Sequence, residues 1–195
     1  MYVYILGGFL GSGKTSLMLN LTSMYIDRGQ KVALLVNESG DIGVDGATMK
    51  REGYDAIEMP NGCICCTLAS SLQDGLRSIA RDLKPDVILI EPTGLALPHR
   101  VKDLVRIAMI DEEETILIGV VDAQRFEKLI SKKLDFFDRQ MQGCNFILIN
   151  KSDAVSPEKL AEIKNWLSSE YPDKPIHSVS VKEGSNMDKV HELMK

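Results

Sequence analysis

Two stretches of the chain combine residue types and spacings that chemistry needs. The first is GGFLGSGKTSL, in which Gly8 to Thr15 reads G-x-x-x-x-G-K-T. Glycines at Gly8, Gly11 and Gly13 let backbone N–H groups converge on phosphate oxygens more closely than side-chain-bearing residues allow. Lys14 supplies a point charge to the β- and γ-phosphates, and the Thr15 hydroxyl is a ligand for Mg²⁺. Ser12 and Ser16 complete this phosphate-binding set. The second stretch, MPNGCICCTLASSL, puts Cys63, Cys65 and Cys66 within four positions of a chain that has four cysteines in all. Reduced thiolates this close together select zinc and other thiophilic or borderline metals, such as Co²⁺ or Ni²⁺.

A third group speaks to the base of a nucleotide. FILINKSD ends an apolar run in Asn150, Lys151 and Asp153. A buried carboxylate at Asp153 accepts from both N1–H and the 2-amino group of guanine, whereas adenine would leave it unpaired. The Lys151 stem can lie across the purine face, and Asn150 can tie this loop to the phosphate loop. Downstream, SVSVKEG offers a backbone N–H near Ser180 and Val181 to guanine O6. Paired with an upstream phosphate loop, N-K-x-D favours GTP over ATP.

These groups need elements to position them. Short β-branched or aliphatic runs at Val3 to Leu6, Val32 to Val36, Val87 to Ile90, Thr115 to Val121, Phe146 to Ile149 and Ile176 to Val179 read as strands buried on both faces. Amphipathic segments between them include Ser16 to Arg28, Leu68 to Leu83, Pro157 to Ser169 and Met187 to Met194. Such alternation predicts an α/β, three-layer fold with a mostly parallel central sheet flanked by helices, and the phosphate motif makes it a P-loop NTPase fold. No repeat or long linker divides the chain, so residues 1–195 are expected to form a single domain. With 23 basic against 28 acidic side chains, nothing suggests a nucleic-acid or polybasic membrane surface. The start lacks a basic n-region and its apolar run breaks at Gly7, which argues against a secretory signal. A cytoplasmic location follows, where thiols stay reduced and clustered cysteines point to metal or redox chemistry.

The ordered set GGFLGSGKTSL, VNESGDIGVD, NGCICC, ILIEPTGLALP and NKSD resembles the CobW-like family of GTPases, relatives of the nickel-enzyme maturation GTPases HypB and UreG. The resemblance runs from the first strand to the last helix, and C-x-C-C is its most discriminating element. It implies a GTP-binding, slowly GTP-hydrolysing metallochaperone or cofactor-assembly factor that binds GTP or GDP, Mg²⁺ and a transition metal. Its partners would be a client metalloprotein or cofactor-assembly protein and, with nucleotide bound, a second copy of itself. Many such proteins carry a further C-terminal domain and a histidine-rich stretch. Here the sequence ends in GSNMDKVHELMK, so that domain is not expected, and His99, His177 and His191 read as surface or packing residues.

The remaining acids take roles from this context. In NESGDIGVD, Glu38 or Asp41 would reach Mg²⁺ or the transferred metal, and Asp45 would orient the attacking water. The family usually has an aromatic where Ser39 sits and Glu where Asp41 sits. In ILIEPTG, Glu91 ends a buried strand where a carboxylate can meet the Mg²⁺ shell, and Gly94 resembles the switch glycine that senses the γ-phosphate. No arginine finger is evident in cis. In a locally extended chain Cys63 and Cys65 point the same way, and Cys66 joins them if a helix begins near Thr67. Two or three sulfur ligands would then be completed by Glu38 or another carboxylate, a histidine or water. Buried packing and a redox switch are the competing uses of these thiols, and a regulatory GTPase acting through protein binding alone is the competing function. Cys144, alone before a buried strand, reads as core.

Overall fold

Apolar runs too short to be helices, each bounded by turn residues, leave strand pairing as the way to satisfy their backbone groups. The computed structural model describes residues 1–36, 55–58, 68–92 and 96–194. The described residues form one parallel sheet of seven strands: β1 (Tyr2–Gly7), β2 (Val32–Val36), β3 (Asp55–Glu58), β4 (Val87–Glu91), β5 (Glu114–Asp122), β6 (Phe146–Asn150) and β7 (Ile176–Ser178). The spatial order is β3-β2-β4-β1-β5-β6-β7, and every pairing is parallel. The helices are α1 (Lys14–Asp27), α2 (Leu68–Ser78), α3 (Pro98–Ala108), α4 (Phe126–Met141), α5 (Pro157–Glu170) and α6 (Met187–Leu193).

Six strands fall where the apolar runs predict them. The seventh, β3, has the sequence DAIE, whose charged ends hide its two apolar residues from any pattern. The segment predicted as one helix from Leu68 to Leu83 ends its α-helical part at Ser78. It closes in a π-helical turn over Ile79–Leu83, with Lys84 left-handed at φ 46°. Helices α3 and α4 were not among the segments singled out above, although Val101, Val105 and Ala108 of α3 are buried at helical spacing. Helix α4 is broken by non-helical dihedrals at Lys133, so its two halves change direction.

Side-chain alternation along the strands builds two cores. Val3 and Ile5 of β1 pack with Leu76, Val105, Phe137 and Leu167 of α2 to α5 on one face. Tyr4 and Leu6 pack with Leu17, Leu21 and Tyr25 of α1 and with Val190 of α6 on the other. The result is the three-layer architecture expected of alternating strands and helices. Cys144 is a core residue whose Sγ–H donates to the Met141 carbonyl at 2.7 Å, and burial pushes its thiol up to about 12. Among the described residues no helix is long and apolar enough to cross a membrane.

Successive strands run outward from β1 in both directions, to β4 on one side and β5 on the other. A crevice opens at the carboxyl ends of the strands where such a sheet reverses order. Glu91, Asp122 and Asn150 end β4, β5 and β6, so the sheet delivers three polar side chains to the same edge as the glycine-rich loop.

Candidate functional site

The loop from Gly8 to Gly13 takes its shape from its glycines. Gly8, Gly11 and Gly13 have φ of 138°, 74° and 94°, which side-chain-bearing residues adopt only with strain. Space forbids a Cβ as well: at Gly8 it would lie 2.3 Å from the Val120 carbonyl oxygen, and at Gly13 2.2 Å from Asn150 Nδ2. The loop then enters α1 with no side-chain cap and no acid in the first turn. That leaves the first N–H groups of the helix for an anion.

Four consecutive carbonyls of this loop each accept from a different side chain. Lys14 Nζ donates to Phe9 at 3.1 Å, Arg125 Nη2 to Leu10 at 2.7 Å, Lys151 Nζ to Gly11 at 2.8 Å and Asn150 Nδ2 to Ser12 at 2.9 Å. In a planar trans peptide the N–H points opposite to the carbonyl, so fixing a carbonyl also fixes the N–H of the next residue. The donors therefore orient the loop's dipoles before any ligand arrives. Ser12 Oγ is buried with no hydrogen-bond partner among the described residues, an orphan that a phosphate oxygen would satisfy.

Lys14 is 4% exposed, with Nζ 3.7 Å from Glu91 Oε1. Burial pushes its ammonium below the ordinary lysine value, and the Glu91 carboxylate offsets this only in part. An arriving polyanion would favour the charged form. Thr15 is half-buried in the first turn of α1, next in sequence to Lys14, whose ammonium lies 3.7 Å from Glu91 Oε1. The Thr15 hydroxyl and Glu91 carboxylate, expected to hold Mg²⁺, are the hard oxygen donors such a cation takes.

On the other flank Asn150 joins three segments. Beside its bond to Ser12, its Oδ1 accepts from the Val181 N–H at 3.2 Å. These contacts border a cavity of about 720 Å³, lined among others by Gly13, Ser16, Asn150, Lys151, Asp153 and Val181. That volume accommodates a nucleotide-sized ligand. The expectations for this end need two corrections. The Ser180 N–H donates to the Ser185 carbonyl at 3.1 Å and Ser180 is fully buried, so the residue that lines the cavity is Val181. Asp153 is exposed where a buried carboxylate was expected, because the short helical turn Ser152–Ala154 carries it to the rim.

Sequence reasoning missed two participants here. Asp122 is fully buried. Its Oδ2 accepts from Lys151 Nζ and from Arg125 Nε, both at 2.8 Å. Its Oδ1 takes the Gln124 and Arg125 N–H groups at 3.0 and 3.3 Å. Burial alone would raise its pKa; the Lys151 and Arg125 hydrogen bonds outweigh that and hold the carboxyl below the usual aspartate value. Arg125 is the second, a cis arginine bonded to the outer carbonyl of the loop. The available signal was Asp122 itself, an acid ending a continuous apolar run just as Glu91 does. His191, expected as a surface or packing residue, is 3.2 Å from Asn20 Oδ1 through its Nε2, and Asn20 lines the cavity. Glu38, Asp41, Asp45, Cys63, Cys65, Cys66 and Gly94 lie outside the described residues.

Comparison with known proteins agrees with this geometry. Residues 2–178 match the family described as CobW/HypB/UreG, nucleotide-binding domain. The zinc chaperone YeiR of Escherichia coli is 37% identical over 179 residues, 89% of this chain and 54% of that protein. The zinc chaperone CobW of a Sinorhizobium species is 32% identical over 201 residues, 88% of this chain and 56% of that protein. The chain thus spans about half the length of these curated relatives. Among solved structures, the hydrogenase maturation factor HypB of Archaeoglobus fulgidus superposes with a TM-score of 0.72 at 21% identity, covering 100% of this chain and 88% of that one. The glycine-rich loop, the N-K-x-D strand end and the family match over most of the sequence assign this chain to the CobW/HypB/UreG family of nucleotide-binding domains.

Proposed function

We propose that this domain binds GTP, hydrolyses it slowly, and uses the nucleotide state to control a transition metal held by Cys63, Cys65 and Cys66. The observation that carries the nucleotide half is the phosphate loop. Four side chains fix its consecutive carbonyls, and Asn150 links it to the cavity that Asp153 lines. Likeness to two zinc chaperones supports the metal half, and makes zinc the first cargo to try.

In this reading the phosphates sit against the loop N–H groups, with Lys14 and Ser12 Oγ on their oxygens. Asp153 takes the N1–H and 2-amino group of guanine, and Val181 borders the same base. Thr15 and Glu91 would hold Mg²⁺, which supplies charge neutralisation at the β- and γ-phosphate oxygens. Glu38 or Asp41 serves the metal side, Asp45 orients the water that attacks the γ-phosphorus, and Gly94 senses that phosphate. Hydrolysis breaks the β–γ bridge and releases phosphate, leaving GDP. Lys14 is the cation fixed at the loop, whereas the Arg125 guanidinium is engaged by Leu10 and Asp122. The intrinsic rate is therefore low, rising when a client or a second copy supplies further charge. Metal and GTP favour each other's binding by one common factor, as linkage requires.

Zinc, cobalt(II) and nickel(II) titrated into reduced protein carrying Mg²⁺ with GDP or a non-hydrolysable GTP analogue test this reading. Thiolate-to-metal absorption reports the ligands, with Cys65→Ala and Cys66→Ala as controls. One metal per chain, held more tightly in the GTP-like state, is the expected result. Equal affinity in both states would make the cysteines structural or redox-active and the protein a GTPase that acts through protein binding.

A further inference from the structure

Gln140 has no role in the reading above, yet it is among the most buried polar side chains of the molecule, at 1% exposure. From the end of α4 its Oε1 accepts from the Gly8 N–H at 3.0 Å, and its Nε2 donates to the Ala96 carbonyl at 2.8 Å. The two ends of a carboxamide are not interchangeable, so these partners fix its orientation. One side chain therefore joins the first residue of the phosphate loop to the segment that leads from β4 into α3.

Both ends of that bridge sit in tight surroundings. Gly8 has no room beside Val120, where a Cβ would approach the carbonyl oxygen to 2.3 Å. Next to it, a Cβ on Gly7 would lie 2.7 Å from Pro98 Cγ, so the start of α3 already rests on the end of β1. Helix α4 also grips the following residue, with Phe136 edge-on to Phe9 at 5.2 Å and Phe137 stacked on it at 6.2 Å. Phe9 in turn supplies the carbonyl that anchors the Lys14 ammonium. A continuous path thus runs from Lys14 through Phe9 and Gly8 to Gln140 and Ala96.

We propose that Gln140 is a positioning residue that couples the phosphate loop to the entry of α3 through the Gly8–Gln140–Ala96 bridge. When Lys14 shifts toward a γ-phosphate it draws on the Phe9 peptide, whose neighbour Gly8 is bonded to Gln140. With no solvent to replace either hydrogen bond, Gly8 and Ala96 move together or leave a buried polar group unpaired. The preference for GTP over GDP then depends on this carboxamide, although it touches no nucleotide. This proposal rests on GTP being the ligand of the loop.

The test uses the full chain with Mg²⁺ and measures affinities for GDP and for a non-hydrolysable GTP analogue by displacement of a fluorescent nucleotide. Gln140→Met, close in volume but without either hydrogen bond, should lower the GTP-analogue over GDP preference by about fivefold or more, with GDP affinity held within about twofold. Gln140→Glu should regain that preference as pH falls, because a protonated carboxyl can accept from Gly8 and donate to Ala96. Equal weakening for both nucleotides in Gln140→Met, or an unchanged preference, overturns the bridge while leaving the GTP reading intact. A wild-type protein with no preference for the GTP analogue overturns that reading and this one with it. If Gln140→Met does not fold, hydrogen exchange of the Gln140 side-chain NH₂ in ¹⁵N-labelled wild type decides. Protection that differs between the two nucleotide states supports the coupling, and identical protection overturns it.

Discussion

Two neighbouring strands lead to aspartates with opposite fates. Asp122, at the end of β5, is fully buried and accepts four hydrogen bonds, two of them from cations. Asp153, just past β6, is exposed at the rim of the cavity. One carboxylate is spent on holding Arg125 and Lys151, which in turn hold the Leu10 and Gly11 carbonyls. The other is left for a ligand. On the proposed reading, fixing the phosphate loop falls to Asp122 and choosing the base to Asp153.

The largest effect expected from this division is on folding. Asp122→Ala removes the partner of two cations and frees two part-buried N–H groups. It should lower the unfolding free energy by about 2–3 kcal/mol, less than for a fully buried pair because Lys151 and Arg125 are partly exposed. Urea unfolding measures it. Guanine over adenine preference in the surviving folded protein should stay as in wild type. If the variant instead keeps its stability and loses base preference, the two aspartates do not divide the work this way.

Asp153→Ala is the mirror experiment. It should weaken GTP binding about 30- to 100-fold, the loss expected when hydrogen bonds from a base to a charged acceptor disappear. Stability should change by no more than about 0.5 kcal/mol, as at other exposed positions. Isothermal titration and urea unfolding on the same preparation separate the two quantities. Loss of both together would mean that Asp153 supports the loop as well.

The same contrast explains what the sequence made legible. Asp153 stands out because N-K-x-D after a strand names it, and the phosphate loop stands out because only glycines permit its dihedrals. The six strands other than β3 were visible as apolar runs. Asp122 shows the limit of that method: the run TILIGVVD ends in an acid as plainly as VILIE does, but no short motif surrounds it, so the strand reads as stopping at Val121. Gln140 and Arg125 gave no signal at all. A polar residue in an amphipathic helix ordinarily faces water, and only the packing of α4, bent at Lys133, turns one inward and sets the other against the loop. Asp153's exposure was equally hidden, since burial at a strand end depends on which way the next turn leaves the sheet.

Lys151 belongs to both regions, and that makes it the finer probe. Its ammonium reaches Asp122 and Gly11, and the residue lines the cavity. A double-mutant cycle between Asp122→Asn and Lys151→Met should give a coupling of about 1 kcal/mol in stability, modest because the lysine is partly exposed. The cycle between Asp153→Ala and Lys151→Met should give none, within about 0.5 kcal/mol. Comparable couplings in the two cycles would erase the boundary between the regions.

Acid titrates the comparison without altering the fold by mutation. Lys151 and Arg125 hold the folded Asp122 carboxyl below its ordinary value, so the folded protein keeps it ionised where the unfolded chain already binds a proton. The stability this supplies is complete above the unfolded aspartate value of about 4, and is lost as pH falls through the folded value. The difference in unfolding free energy between wild type and Asp122→Asn should therefore be level from about pH 5 to pH 7 and shrink below about pH 4. A difference that stayed constant down to pH 3 would mean that the cations do not favour the ionised form. Asp122 would then hold its place by hydrogen-bond geometry alone, and the loop carbonyls would depend on packing around Arg125 instead of on charge.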